Sequence, residues 1–333
     1  MFLEIEHRLS FDYDAFVRES FIELRMQPKT TPHQTLHSFV LAVGPPTTLS
    51  RYRDWNDNLV HHFTVTSYHD RIAVAGRSLV ATHPAAPPLA EIDDRLPLEG
   101  LPYPLWDFLQ PGGPIRASAV LRKFSHAVEA PEGATLGEQV QAVGRHVRAE
   151  LAYRKNVTRV DSSTDDFLAA GAGVCQDFTH LMLGLLRLRQ IPCRYVSGYL
   201  HVEPTSGEVA QSHAWIEFFS PTRGWIPFDP THDRAVDERY VAVGHGRHYE
   251  DVPPNKGIFR GNARETLAAE VYTRPSAQKD VSTLREEIEA IDLPVFQEIP
   301  DRGRVARGLV SDDAIAQQQQ QQQQTGREDG TCK

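Results

Sequence analysis

Cysteine is scarce in this sequence: only Cys175, Cys193 and Cys332 occur among 333 residues. Thiols so few and so widely spaced cannot form a disulfide framework, which is typical of a protein in a reducing compartment. The amino terminus also lacks the uninterrupted apolar stretch of a signal peptide, because acidic and basic residues interrupt it. The sequence therefore predicts a cytoplasmic protein, in which a lone cysteine before a helix is a candidate nucleophile.

An excess of basic residues is missing as well. The formal net charge is −9, whereas nucleic acids and anionic membranes are bound by clustered Lys and Arg. The sequence also has no apolar run long enough to span a bilayer. We therefore expect neither a nucleic acid nor a membrane as a partner. The apolar fraction of 40% is that of a globular chain with a sizeable core.

The chain divides into four segments by pattern. Residues 1–83 carry short apolar or alternating runs between turn clusters, which predicts a small antiparallel β-sandwich. The proline-rich residues 84–104 indicate a linker, because proline fixes φ and lacks a backbone donor. Residues 105–275 predict an α+β domain that ends with a strand around Val271. Residues 276–333 contain eight consecutive glutamines and are expected to be mostly disordered.

The periodicity of apolar residues predicts individual elements in both domains. Alternating runs predict strands in the first domain at residues 36–43, 62–67 and 72–80. In the second domain, spacing near 3.6 predicts helices at 135–151 and 176–190. Strands are predicted after these helices at 193–202, 212–219 and 225–228.

Cys175 lies where a glycine-flanked loop leads into the second predicted helix. That helix has the i, i+3, i+4, i+7, i+8 spacing of a buried stripe, formed by Phe178, Leu181, Met182, Leu185 and Leu186. At a helix start, unpaired amides and the positive end of the dipole favour a thiolate and could hold an oxyanion. From this segment alone, a reactive cysteine and a buried structural cysteine are equally well supported. Cys193, at a strand start, is expected in the core.

A base is expected at His213, in the apolar strand predicted at 212–219. Histidine suits a base that later protonates a leaving amine. If residues 220–224 form the hairpin loop, Trp215 faces Asp229, and His213 becomes a same-face diagonal neighbour of Asp229. A loop one residue longer or shorter would break this arrangement. Each residue alone would be interpreted as structural, whereas Cys175, His213 and Asp229 together indicate a catalytic set.

Several stretches resemble the bacterial transglutaminase-like family, whose members are also provisionally described as cysteine proteases. The nucleophile region GVCQDFTHLMLGLLRLRQIPCRYVSGYL is followed by SHAWIEF and GWIPFDPTHD, which contain the histidine and the aspartate. Downstream, EDVPPNKGIFRG is similar to the usual continuation of that family, and the amino-terminal RMQPKTTPHQTLHSFVLAV is similar to its β-sandwich domain. The resemblance extends from near residue 1 to about residue 275.

The resemblance implies a papain-like core, with Cys175 as nucleophile, His213 as base and Asp229 as the residue that orients the histidine. The first hypothesis is a peptidase or amidase, in which water resolves a thioester acyl-enzyme formed from a protein or peptide amide. The second is a transglutaminase, in which a lysine amine resolves the same intermediate. The third is a catalytically silent binding module. No side chain is identified as an oxyanion donor.

Metal and cofactor binding have little support in the sequence. Two groups of histidines could be considered as metal ligands, but neither has cysteine partners, and histidine-rich loops are usually only solvated. The groups are His61, His62 and His69, and His245 and His248. The acidic spacing of an EF-hand is missing, which gives calcium activation no support. We therefore expect no metal and no cofactor, and the sequence does not indicate an oligomeric state.

Overall fold

The computed structural model describes residues 1–83, 87–202 and 211–276. The chain forms two compact units. Of the described residues, the first contains 1–82, 200–202, 211 and 253–276, and the second contains 83, 87–199 and 212–252. Within the described ranges, no helix is long and apolar enough to cross a membrane. The glutamine run and the rest of the predicted tail from 277 onward lie outside the described residues.

Eight strands build the first unit. They are β1 (Phe2–Val17), β2 (Glu19–Leu24), β3 (Gln34–Gly44), β4 (Ser50–Arg53), β5 (Leu59–Val65), β6 (His69–Thr82), β14 (Asn255–Arg260) and β15 (Glu265–Pro275). They pair antiparallel in two sheets, ordered β15-β1-β6-β3 and β14-β2-β5-β4. The predicted strands at 36–43, 62–67 and 72–80 correspond to β3, β5 and β6.

The core of the first unit lies between its two sheets. Along β1 alternate residues are buried, as the period of two in a strand requires when one face covers a core. Buried residues of both sheets share one cluster, which includes Leu9, Phe11, Ile22, Phe63 and Leu267. The predicted antiparallel β-sandwich is therefore present.

The strand around Val271 is placed differently from the sequence-based expectation. It is β15, which pairs with β1 so that Val271 lies opposite His7, and β14 likewise pairs with β2. The chain thus returns to the first unit at Pro253, rather than completing the second unit up to residue 275. The alternation of apolar and polar residues in β15 indicates a strand, but it does not indicate which sheet the strand joins.

Part of the expected linker is packed structure of the second unit. Ile92 is completely buried, and its carbonyl accepts a hydrogen bond from the Gly137 amide at 3.4 Å. A side chain at Gly137 would place Cβ 1.9 Å from the Leu89 carbonyl oxygen. The segment that contains Leu89 and Ile92 therefore packs tightly against the helix that begins at Leu136. The proline content of the segment could not predict this packing.

In its described residues, the second unit combines four α-helices with a five-stranded sheet. The helices are α1 (Ala119–His126), α2 (Leu136–Glu150), α3 (Thr164–Ala170) and α4 (Cys175–Leu188). The strands are β7 (Ala152–Tyr153), β8 (Ala172–Gly173), β9 (Cys193–Leu200), β10 (Gln211–Ser220), β11 (Gly224–Asp229), β12 (Arg234–Ala235) and β13 (Tyr240–Gly246). The sheet order is β12-β11-β10-β9-β13, and β7 pairs parallel with β8 outside this sheet.

The helices predicted at 135–151 and 176–190 correspond to α2 and α4, whereas α1 and α3 were not predicted. Thr135 caps α2 in a capping box with Glu138. Every residue of α4 from Gln176 to Arg187 is buried, and α4 packs against the other three helices. A helix enclosed on all sides is rigid, so its first residue is held in a defined position.

Candidate active site

Cys175 is the first residue of α4 and is partly exposed, whereas Cys193 is fully buried. The loop before Cys175 is tied to the neighbouring strand. The Arg154 amide donates to the Gly173 carbonyl at 2.8 Å, and β7 and β8 pair in parallel. This arrangement leaves the sulfur at the amino-terminal end of the helix dipole, where an anion is stabilised.

A buried carboxylate holds the turn that carries Cys175. Asp177 Oδ2 accepts hydrogen bonds from the Val174 amide at 2.7 Å and from the Thr158 hydroxyl at 2.6 Å. A Cβ at Gly173 would lie 2.4 Å from that oxygen, so glycine is needed for this close approach. Burial raises the pKa of the Asp177 carboxyl to about 6, although its hydrogen bonds act in the opposite direction.

His213 and Asp229 lie on the neighbouring strands β10 and β11. These strands pair antiparallel with Phe219 opposite Trp225, which is the register that the predicted loop requires. His213 Nε2 lies 2.8 Å from Asp229 Oδ2, and both residues are buried. The hairpin register therefore brings the two residues together as predicted.

Asp229 accepts more hydrogen bonds than the sequence reasoning anticipated. Its Oδ2 also accepts from His232 Nδ1 at 2.7 Å and from the Tyr240 hydroxyl at 2.6 Å. Its Oδ1 accepts from the Thr231 amide at 2.8 Å. Because each donor favours the ionised carboxylate, Asp229 is held in one charged orientation.

His232 and Tyr240 were not predicted as site residues. His232 is three residues after Asp229, so its proximity was readable in principle from the short spacing. Tyr240 is the first residue of β13, which is one edge strand of the sheet, whereas β12 is the other edge strand. No local sequence pattern connects Tyr240 with Asp229. Thr158 likewise reaches Asp177 across 19 residues of chain.

Charge interactions link the three predicted residues. Burial alone would lower the pKa of His213, but the charge and hydrogen bond of Asp229, with further contributions from Cys175, raise it to about 10. Burial opposes ionisation of Asp229, yet His213 and His232 hold the pKa of its carboxyl well below its usual range. His213 therefore interacts with Asp229 through Nε2 and also with the side chain of Cys175.

One group of potential metal ligands exists within the part of the chain that the structure describes. The ligand atoms of His213, Asp229 and His232 all lie within 4.8 Å of one another. The histidines around positions 61 and 245 that were considered from the sequence do not belong to this group.

A helix-borne cysteine that faces a histidine and an aspartate on an antiparallel hairpin defines a papain-like α+β domain, here accompanied by a β-sandwich. Comparison with known proteins places the chain within this class. Residues 122–230 match the transglutaminase-like superfamily, and residues 3–81 match the bacterial transglutaminase-like N-terminal region. The chain belongs to the transglutaminase-like superfamily.

Individual relatives agree with this assignment. An uncharacterized protein of Mycobacterium leprae is 32% identical over 286 residues, which cover 80% of this chain and 95% of that protein. A protein-glutamine gamma-glutamyltransferase of Pseudomonas aeruginosa is 25% identical over 193 residues, which cover 55% of this chain and 28% of that protein.

A solved structure has the same fold over most of the chain. It is a protein from Cytophaga hutchinsonii, provisionally described as a cysteine protease, with a TM-score of 0.69 and 20% sequence identity. The match covers 84% of this chain and 92% of that one. The predicted fold class, a papain-like core with an amino-terminal β-sandwich, is confirmed.

Proposed function

We propose that this chain is a thiol-dependent amide hydrolase that acts on protein or peptide substrates, with Cys175, His213 and Asp229 as its catalytic residues. The observation that carries this proposal is the position of His213. Its Nε2 is 2.8 Å from a buried carboxylate, and its ring also interacts with the Cys175 side chain. This is the order of groups that nucleophilic catalysis by a thiol requires.

The first half-reaction forms a thioester. The Cys175 thiolate attacks the carbonyl carbon of the amide, and we expect backbone amides at the start of α4 to stabilise the oxygen that becomes negative. The C–N bond then breaks, and His213 Nδ1 gives its proton to the departing amine. Asp229 keeps the imidazole ring oriented through Nε2 during this proton transfer.

The second half-reaction regenerates the free enzyme. His213, now neutral, takes a proton from water, and the water oxygen attacks the thioester carbon. The C–S bond breaks, which releases the carboxylic acid and restores the thiolate beside a protonated imidazole. The products are one acid and one amine for each amide and water consumed.

Transamidation is the second candidate, because the relative from Pseudomonas aeruginosa is named a protein-glutamine gamma-glutamyltransferase. In that reaction the donor is a glutamine carboxamide, and the first half-reaction releases ammonia. A lysine amine replaces water in the second half-reaction and leaves an isopeptide bond. The two candidates share Cys175, His213 and Asp229 and differ only in the group that resolves the thioester.

The test is incubation of the protein with a glutamine-containing peptide, with and without a primary amine. Released ammonia, cleavage products and covalent adducts are followed by mass spectrometry. We expect cleavage or deamidation that depends on Cys175 and disappears in Cys175→Ala. Cys332→Ala is the matched control, since it removes a thiol that is not among the proposed catalytic residues.

The outcomes separate the hypotheses. Adducts that require both Cys175 and the amine would establish transamidation in place of hydrolysis. If a panel of peptides gave no Cys175-dependent product, and a thiol reagent did not label Cys175 at neutral pH, the enzyme proposal would be overturned in favour of a binding module.

A further inference from the structure

One carboxylate oxygen of Asp229 accepts hydrogen bonds from two imidazole rings. His213 Nε2 lies 2.8 Å from Asp229 Oδ2, and His232 Nδ1 lies 2.7 Å from the same atom. The two imidazole rings have centroids 5.4 Å apart. One nitrogen of each imidazole and one oxygen of the carboxylate therefore lie close together, and two hydrogen bonds join them.

We propose that this cluster is a binding site for a borderline divalent cation such as Zn²⁺, with His213 Nε2, Asp229 Oδ2 and His232 Nδ1 as its ligands. Imidazole nitrogen and carboxylate oxygen are ligands that Zn²⁺ prefers, at about 2.0 to 2.2 Å. In a tetrahedral site, such ligand atoms lie about 3.3 Å from one another. All three already lie within 4.8 Å of each other, so small side-chain rotations suffice.

Metal binding requires that both hydrogen-bonded protons leave the ligand nitrogens. The Nε2 proton of His213 passes to solvent. The His232 proton moves by exchange with water from Nδ1 to the ring's other nitrogen. Both imidazoles then offer a lone pair, as metal binding requires.

The surroundings suit a bound cation. About one third of the His232 side chain is open to solvent, at 34%, whereas Asp229 is fully buried, so an ion has an entry path. The Tyr240 hydroxyl donates to Asp229 at 2.6 Å, and such a second hydrogen bond orients a ligating carboxylate. Three protein ligands leave a fourth position for water.

A metal at this site would act as an inhibitor. His213 Nε2 would be committed to the cation, so Asp229 could no longer orient the ring for proton transfer with Cys175. The Cys175 sulfur is not among the proposed ligands, because the converging ligand atoms belong to His213, Asp229 and His232. This separates the site from a metal bound directly by the Cys175 thiolate.

The experiment measures Zn²⁺ binding to the chelator-treated full chain by titration calorimetry, with the visible spectrum of Co²⁺ as a second readout. The parent is Cys175→Ser, which removes direct binding by the thiolate. His232→Asn retains an N–H donor near the position of Nδ1 but offers no metal-ligating nitrogen. His126→Asn, at an exposed histidine that ends α1, is the matched control.

We expect the Cys175→Ser chain to bind one Zn²⁺, His232→Asn to weaken that affinity at least tenfold, and His126→Asn to leave it unchanged. Unchanged affinity in His232→Asn would overturn the proposal. So would absence of Zn²⁺ binding in the Cys175→Ser parent; if the chain with Cys175 intact still bound Zn²⁺, the metal would be assigned to the thiolate. Binding does not require turnover, so this result is independent of the proposed reaction.

Discussion

Asp229 shows how a single side chain can be held in one state by its neighbours. It is fully buried, and its two oxygens accept hydrogen bonds from two histidine rings, a tyrosine hydroxyl and backbone amides. An isolated carboxylate in such a place would be costly, whereas one with several donors is stabilised. The orientation of His213 therefore depends on groups beyond the predicted three.

Tyr240→Phe should reveal this dependence. The substitution removes the hydroxyl that donates to Asp229 at 2.6 Å while keeping the ring that fills the core. We expect kcat to fall severalfold with little change in KM, and the free energy of unfolding to fall by about 1 to 3 kcal/mol. Steady-state kinetics on a peptide that shows Cys175-dependent turnover measure the first effect, and urea unfolding measures the second.

The control for this variant is Tyr249→Phe, which removes the hydroxyl of another buried tyrosine of the second unit that is not a hydrogen-bond donor to Asp229. Equal losses of kcat in both variants would show that the effect comes from general packing. In that case Tyr240 would have no particular role in orienting Asp229.

Asp177 should make the free energy of unfolding decrease as the pH rises. Its folded pKa is raised to about 6 from 3.8 by burial, so the folded state binds the proton more tightly than the unfolded state does. Its contribution to stability is fully present below about pH 3.8 and is lost as the pH rises through 6. Asp177→Asn keeps an oxygen acceptor without the charge, and it should remove this dependence.

The measurement is the free energy of unfolding in urea between pH 4 and 7. Relative to the parent, Asp177→Asn should gain stability over this range, on the order of 2 to 3 kcal/mol. Asp161→Asn, at an exposed aspartate, should follow the parent. A parallel pH dependence in Asp177→Asn and the parent would show that Asp177 does not control it.

At the scale of elements, the active site depends on how the start of α4 meets the strand before it. Gly173 ends β8, and the carboxylate of Asp177 occupies the space where a side chain at Gly173 would be. The same carboxylate binds the Val174 amide and the Thr158 hydroxyl. The loop at Thr158, the turn at Val174 and helix α4 are thus joined at one atom, next to Cys175.

Gly173→Ala should therefore displace Cys175, the proposed nucleophile. Its Cβ would lie 2.4 Å from Asp177 Oδ2 and 2.8 Å from the Phe167 ring, so the carboxylate must shift and its hydrogen bonds must break. We expect at least a tenfold loss of kcat/KM, because small displacements of a reacting group are costly. The rate of Cys175 alkylation by iodoacetamide should fall as well.

Gly112→Ala is the matched control for this element, because a Cβ there meets only His248 at 4.0 Å. It should retain the alkylation rate and the activity of the parent. If Gly173→Ala retained them too, the packing of Asp177 against Gly173 would not be what positions Cys175.

For the whole molecule, the return of the chain to the first unit is the main topological feature. β15 covers one edge of β1, and β14 covers one edge of β2, so both sheets are completed by residues far along the chain. Leu267 and Ala269 of β15 also lie in the buried cluster between the two sheets. The sandwich therefore needs residues 255–275 even though most of its strands come from residues 1–83.

Truncation tests this requirement. A chain that ends after residue 276 retains both strands, and we expect it to keep the thermal unfolding transition of the full chain. A chain that ends after residue 252 lacks β14 and β15, and we expect it to lose the unfolding transition of the sandwich and to aggregate. Differential scanning calorimetry and light scattering are the measurements. Full retention of that transition in the shorter chain would contradict the topology.

The sequence by itself determined the features that depend on short distances along the chain. The apolar stripe that begins at Phe178 predicted α4, because helical contacts join residues three and four apart. The five-residue count from Ser220 to Gly224 predicted the hairpin register, because antiparallel pairing around a loop follows from its length. The proximity of His213 and Asp229 followed from that register.

The tertiary structure alone decided the features that join distant parts of the chain. Tyr240 reaches Asp229 from another strand, Thr158 reaches Asp177 from a loop, and β15 pairs with β1 across most of the sequence. Periodicity states which face of an element is apolar, but not which partner will cover it. That choice depends on which sheet edges and buried polar groups remain to be satisfied once the whole chain has packed.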